Sequence, residues 1–281
     1  MEADSLLAPS QCFYLYGILR SAPLEIPALG GIEGRGDVSL VSFRDLACAV
    51  SPVPLSEYGS EQMEERARQL EWVAPRALGH QQVVQWLWQA APVVPLKFGT
   101  LCSSLDKVRE LLQGHYDTLI RLLDFFSGRE EWGVKVYVDE PLAARAVERL
   151  VSQPGEGAGL SDGQAYFLRK KRQRVAEEHH GEQMSELAER IYGCLLSHAV
   201  AGRTGRSLNP PQEGTQLPLL SAALLLEQNG LTAFEDAAAR LEADYQDYGV
   251  RVEVSGPWPP YSFCEELSVE PAEAAGQRCG A

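Results

Sequence analysis

Val134, Val136 and Val138 alternate with Lys135 and Tyr137, and the same period returns far along the chain, where Val250, Val252 and Val254 alternate with Arg251 and Glu253. Successive side chains of a strand point to opposite faces, so apolar and charged residues in strict alternation define a sheet with one buried and one wet face. A sheet with helices on both faces would give near-continuous apolar strands instead. The alternation therefore favours antiparallel or mixed sheets with helices on one face, an α+β protein, over a doubly wound α/β fold.

The segments between these strands define the second half of the chain. A helix is predicted from Leu142 to Leu150, then a linker containing Gly155, Gly157, Gly159 and Gly163, then a helical stretch from Ala165 to about Val200. That stretch is roughly 50 Å long at 1.5 Å per residue. It has few apolar positions before a stripe at Met184, Leu187, Ile191 and Leu195. Its first half is expected to project from the domain or to pack on a second polar helix. Gln216–Glu227 reads as a strand. Thr232 with Glu235 has the spacing of a capping box for a helix burying Phe234, Ala238, Leu241 and Tyr245, and Gly249 ends it. Strand, helix, helical excursion, strand, helix, strand is a split β-α-β arrangement carrying an insertion.

The first half opens with an apolar strand, Cys12–Leu19. Val38–Phe43 and Leu46–Val50 read as a hairpin around Arg44 and Asp45. Met63, Ala67, Leu70 and Ala74 share a helical face, Pro75 is expected to interrupt it, and a second helix follows through Leu78, Val83, Leu87 and Ala90. Val93–Phe98 reads as a buried strand. Ser103 or Ser104 can cap a helix with Val108, Leu111, Leu112, Leu119, Leu122 and Phe126 on its apolar face, which Gly128 stops. A length of 281 residues suggests two domains at roughly 150 residues each. The expected division is a flexible start at 1–10, an α+β domain at 11–131, a ferredoxin-like domain at 132–263 with a helical insertion at about 160–202, and a disordered tail at 264–281.

The formal charge of -14 argues against nucleic acid and anionic membranes as partners, because such a surface repels phosphates. No apolar run has the length of a membrane helix, and Met1–Pro9 lacks the basic start of a signal peptide. A cytoplasmic protein is expected. Its six cysteines are scattered without zinc spacing and are read as reduced thiols.

Catalytic motifs are missing. The glycines at 155, 157 and 159 match neither G-x-G-x-x-G nor a P-loop and read as a linker. His179 and His180 are adjacent, so on a helix they point about 100° apart and cannot share a metal as an i, i+4 pair could. Neither H-E-x-x-H nor G-x-S-x-G occurs. The reading is no enzyme, no cofactor and no metal site.

Two features suit protein contact instead. Arg169, Lys170, Lys171, Arg172 and Arg174 form the only basic concentration. It reads as a solvated, ion-paired helix face or as a docking surface for an acidic partner. In Gly256-Pro257-Trp258-Pro259-Pro260-Tyr261-Ser262-Phe263, three prolines hold Trp258, Tyr261 and Phe263 on an extended backbone. Those aromatics either pack back on the domain or form a ridge for a partner. Trp72, Trp86 and Trp88 are assigned to packing.

Five segments occur in a familiar order. They are Tyr14-Leu15-Tyr16-Gly17-Ile18, Pro95-Leu96-Lys97-Phe98-Gly99-Thr100, Gly128 with Glu131-Trp132-Gly133-Val134-Lys135, Ala165-Tyr166-Phe167-Leu168-Arg169-Lys170-Lys171, and the proline-rich aromatic segment. Together they resemble the gas vesicle protein GvpL/GvpF family over about Phe13 to Phe263. Lys97 stands where the family's version of the segment would carry Arg, which makes an anion contact there less bidentate.

The resemblance implies two α+β domains, the second a modified ferredoxin-like unit with a helical extension. It implies a minor gas vesicle protein, cytoplasmic and associated with the vesicle, that acts in assembly through the major shell protein GvpA or other vesicle accessory proteins. It supplies no catalytic residue. Two other readings are carried beside it. One is a ferredoxin-like ligand- or nucleotide-binding protein or enzyme using the glycine-rich segment with Lys170 and Lys171. The other is an adaptor binding by strand addition near Arg44.

Overall fold

The computed structural model describes residues 11–22, 24, 26–27, 29–34, 38–151, 162–205 and 216–264. The chain divides into two compact units, Met1–Gly128 with Trp258–Ala281, and Arg129–Pro257. After the second unit, the chain therefore rejoins the first. The expected flexible start and most of the expected tail fall outside the described residues, as does the glycine-rich segment at 155–159.

The first unit contains β1 (Gln11–Arg20), β2 (Ser39–Phe43), β3 (Leu46–Pro54), α1 (Leu55–Tyr58), α2 (Ser60–Arg66), α3 (Leu70–Ala90), β4 (Val93–Pro95), β5 (Leu101–Cys102), α4 (Leu105–Gly114) and α5 (Tyr116–Phe126). Its sheet has the order β2-β3-β1-β4, with β5 also on β1, and the pairings are antiparallel. The predicted hairpin is present, with Phe43 opposite Leu46. Arg44 takes a positive φ of 54° at its tip. Its guanidinium lies 5.3 Å from the Phe43 ring centre and 5.1 Å from that of Tyr116.

This sheet goes beyond one-sided layering. Cys12, Tyr14, Tyr16 and Leu19 of β1 share a core with Val83, Val84 and Leu87 of α3. Leu15 and Ile18 are buried as well, and α4 and α5 lie against the sheet. The near-continuous apolar run of β1 is what burial on both faces requires.

Three helix predictions need correction. The apolar spacing through Met63, Ala67, Leu70 and Ala74 does not belong to one helix, because α2 ends at Arg66 and Gln69 caps α3 in an extended conformation. Pro75 does not interrupt α3 but sits inside it. Its ring removes one hydrogen bond near the helix start, and the packing of Val83, Val84 and Leu87 carries the helix through. The single helix predicted from Ser104 to Phe126 is two, joined at His115. Ser104 caps the first, its side chain accepting the Lys107 N–H at 3.2 Å. Gly128 follows the second with φ of +70°, a left-handed conformation that glycine adopts without a Cβ clash.

The second unit runs β6 (Arg129–Asp139), α6 (Glu140–Val151), α7 (Asp162–Leu196), β7 (Ala201–Thr204), β8 (Gln216–Glu227), α8 (Leu231–Asp244), a 3-10 turn (Gln246–Tyr248) and β9 (Arg251–Trp258), with strand order β7-β8-β6-β9. This is the order of a ferredoxin-like unit to which one long helix has been added. The opening alternation is realised directly. Trp132, Val134, Val136 and Val138 join Leu187, Ile191 and Leu195 of α7 and Phe234, Ala238 and Leu241 of α8 in one core.

The strand β7 went unpredicted. It is short, pairs Ala201–Thr204 with Leu225–Ala222, and has no apolar alternation to betray it. The capping box is also corrected, since Gly230 precedes α8 and no side chain caps it. Gly256, with φ of +145°, passes so close to Trp132 that a Cβ would lie 3.0 Å from a ring carbon.

Candidate functional site

The densest polar arrangement in the first unit is centred on His80 of α3, which is 3% exposed. Two-residue periodicity in β1 places Tyr14 and Tyr16 side by side beneath it. The Tyr14 hydroxyl lies 3.0 Å from His80 Nδ1 and accepts the Gly99 N–H at 2.9 Å. The Tyr16 hydroxyl accepts the Ile32 N–H at 2.8 Å and lies 2.7 Å from Ser51 Oγ. The imidazole stacks on the Tyr16 ring.

Burial pulls His80 down to about 4, opposed by a backbone hydrogen bond with Leu96, and pushes the Tyr14 phenol up. A neutral imidazole among neutral phenols, each hydrogen-bonded, is a satisfied polar core. Beside it, the Arg76 guanidinium stacks 4.3 Å from the Trp72 ring centre and its Nε donates to the Tyr58 hydroxyl at 2.9 Å. Glu33 and Glu57 lie 3.6 and 3.5 Å from the same guanidinium.

The returning proline-rich segment closes this cluster. His80 Nε2 lies 3.1 Å from the Tyr261 hydroxyl. Pro259 and Pro260 are buried, Phe263 is buried, and the Cys264 thiol donates to the Pro260 carbonyl at 3.1 Å. Two of the three aromatics proposed for partner contact therefore turn inward. Trp258 stays 45% exposed.

The basic residues lie on α7. Lys170 is exposed, with its ammonium 6.0 Å from the Tyr166 ring centre. The side chains of Arg169 and Lys171 fall outside those described. Tyr166 and Phe167, one turn earlier, are both exposed. Further along, α6 packs against α7.

Sequence reasoning missed one surface. Leu70 and Leu78 are 78% and 60% exposed, and Ala74 between them is exposed too. At i, i+4 and i+8 they form one stripe of α3. The spacing carries no charge, but a break expected at Pro75 puts Leu70 and Ala74 on one helix and Leu78 on the next, so the stripe does not emerge from the sequence.

Among the described residues no group of three or more His, Cys, Asp or Glu side chains could hold a metal. No helix among them is long and apolar enough to cross a membrane. In the second unit, an open cleft of about 500 Å³ is lined by Leu142, Arg145, Glu148, Arg149, Gln246 and Asp247. Arg149 is already paired with Asp247 there at 3.3 Å.

These features define a class: an α+β protein with two mainly antiparallel sheets, whose polar cluster around His80 is buried and whose distinctive surfaces are apolar or basic helix faces. Residues 12–265 match the model of the gas vesicle synthesis protein GvpL/GvpF family, and the chain belongs to that family. It is 30% identical to gas vesicle protein L of Streptomyces sp. (strain CB03234), over 94% of this chain and 97% of that protein. It is 28% identical to gas vesicle protein F of the same organism, over 90% and 99% of the two chains. The fold is that of the crystal structure of GvpF from Anabaena sp. PCC7120, with a TM-score of 0.62 at 17% identity over 95% of this chain and all of that one. GvpF from Microcystis aeruginosa gives 0.59 at 16% identity over 90% and 98%. The role of this chain is thus tied to the gas vesicle.

Proposed function

We propose that the protein is an accessory factor in gas vesicle assembly that acts by binding the major shell protein GvpA, without catalysis of its own. The observation that carries this reading is the uncharged Leu70-Ala74-Leu78 stripe on α3, exposed on a chain whose net charge is -14. An apolar shell subunit must be kept from aggregating before it is incorporated. A limited apolar surface can receive it, while a strongly acidic body keeps the complex dispersed. Trp258, half exposed on its proline-rich segment, is a second candidate contact, and contacts with other vesicle accessory proteins belong to the same reading.

The test is co-expression of the full chain with GvpA, followed by capture of the chain and quantification of GvpA in the soluble fraction. The wild type should retain GvpA in solution. Leu70→Glu with Leu78→Glu should lower the retained amount at least about fivefold, in keeping with loss of a buried apolar anchor. Because both side chains are solvent-facing, the variant should fold, which circular dichroism checks. Equal retention by wild type and variant removes the stripe from the mechanism. No association of the wild type with GvpA overturns the reading.

A further inference from the structure

We propose that the amino-terminal part of α7 is a docking surface for an acidic segment of a protein partner, held by the basic run and anchored on Tyr166 and Phe167. This goes beyond the shell-binding reading and uses different residues.

The charge argument starts from helix geometry. Side chains three and four positions apart are neighbours on a helix surface, and ion pairs at those spacings are how a charged helix face neutralises itself. Residues 169–172 of α7 are Arg, Lys, Lys and Arg, and none of them has an aspartate or glutamate three or four positions away on either side. Arg174 differs, with Glu177 and Glu178 at those spacings. By sequence spacing, then, this run has no i, i+3 or i, i+4 carboxylate within α7 to neutralise it. A chain of net charge -14 that sets five of its 25 Lys and Arg residues within 169–174 offers there a stretch suited to an acidic ligand.

The second observation is independent of charge. Tyr166 and Phe167 are 58% and 78% exposed on the same helix, immediately before the run. Adjacent exposed aromatics offer large apolar area at low entropic cost and serve as anchors in protein contacts. Among the described residues, the buried α7 side chains of this core are Leu187, Ile191 and Leu195. An acidic peptide is favoured over a nucleic acid because the rest of the surface repels a phosphate chain.

The test uses the full chain and a fluorescent synthetic peptide alternating Glu with Leu and Phe, measured by anisotropy at low salt. A matched peptide with Gln for Glu and a single-stranded RNA of similar length are the controls. The acidic peptide should bind, and binding should weaken steadily with added salt. Lys170→Glu with Lys171→Glu should lower affinity at least about tenfold, and Tyr166→Ser with Phe167→Ser at least about fivefold. Helix content by circular dichroism should stay unchanged in both variants. The milder Lys170→Gln with Lys171→Gln should fall between wild type and the reversed pair. The proposal is overturned if the acidic peptide does not bind, if the Gln peptide binds equally, or if neither pair of changes alters affinity. Preferential binding of the RNA, lost on charge reversal, would overturn it in favour of nucleic acid.

Discussion

His80 is a base held neutral by its surroundings. Its folded value of about 4 lies below the ordinary 6.5, so between those values the unfolded chain binds a proton that the folded chain refuses. Stability from this group is fully present above about pH 6.5 and is lost as pH falls towards 4, a change on the order of 3 kcal/mol. Urea unfolding followed from pH 7 to pH 4 should show this loss, and His80→Gln should flatten it, because the substitute does not titrate. The Tyr261 hydroxyl partners the same ring, so Tyr261→Phe should destabilise the first unit by about 1 kcal/mol at pH 7. None of this was visible in the sequence. One histidine and several tyrosines carry no spacing signal, and their juxtaposition depends on strands and helices remote from one another in the chain.

At the level of elements, legibility followed local physics. The Arg44 hairpin, a serine cap at 103 or 104, the Gly128 stop and the alternation in β6 rest on neighbouring residues and are legible in the sequence, the structure choosing Ser104 for the cap. The misreadings came where packing overrode a local rule. Pro75 breaks helices in isolation, yet α3 continues through it, because its inner face is held by the sheet. Replacing this exposed proline by alanine restores one backbone hydrogen bond, to the Glu71 carbonyl. Pro75→Ala should therefore raise stability by about 1 kcal/mol, read from the urea midpoint. The Leu70-Ala74-Leu78 stripe is hidden for a related reason: the break expected at Pro75 splits between two helices a face that lies on one.

For the whole molecule, the defining feature is that the chain leaves the first unit at Gly128 and rejoins it at Trp258. Pro259, Pro260 and Phe263 are buried after the return. A chain stopped after Pro257 should therefore lose at least about 3 kcal/mol from the first unit, read by hydrogen exchange at the β1 and α3 amides. The amides of β6 and β8 report separately on the second unit.

The sequence by itself determined the fold class, the alternating sheet of the second unit and membership of the gas vesicle family, because periodicity and ordered motifs are local records. Only the tertiary structure decided that Tyr261 and Phe263 turn inward, that β1 is covered on both faces, and that leucines on α3 remain in water. Burial is set by what packs on a residue from elsewhere in the chain, and no local pattern contains that.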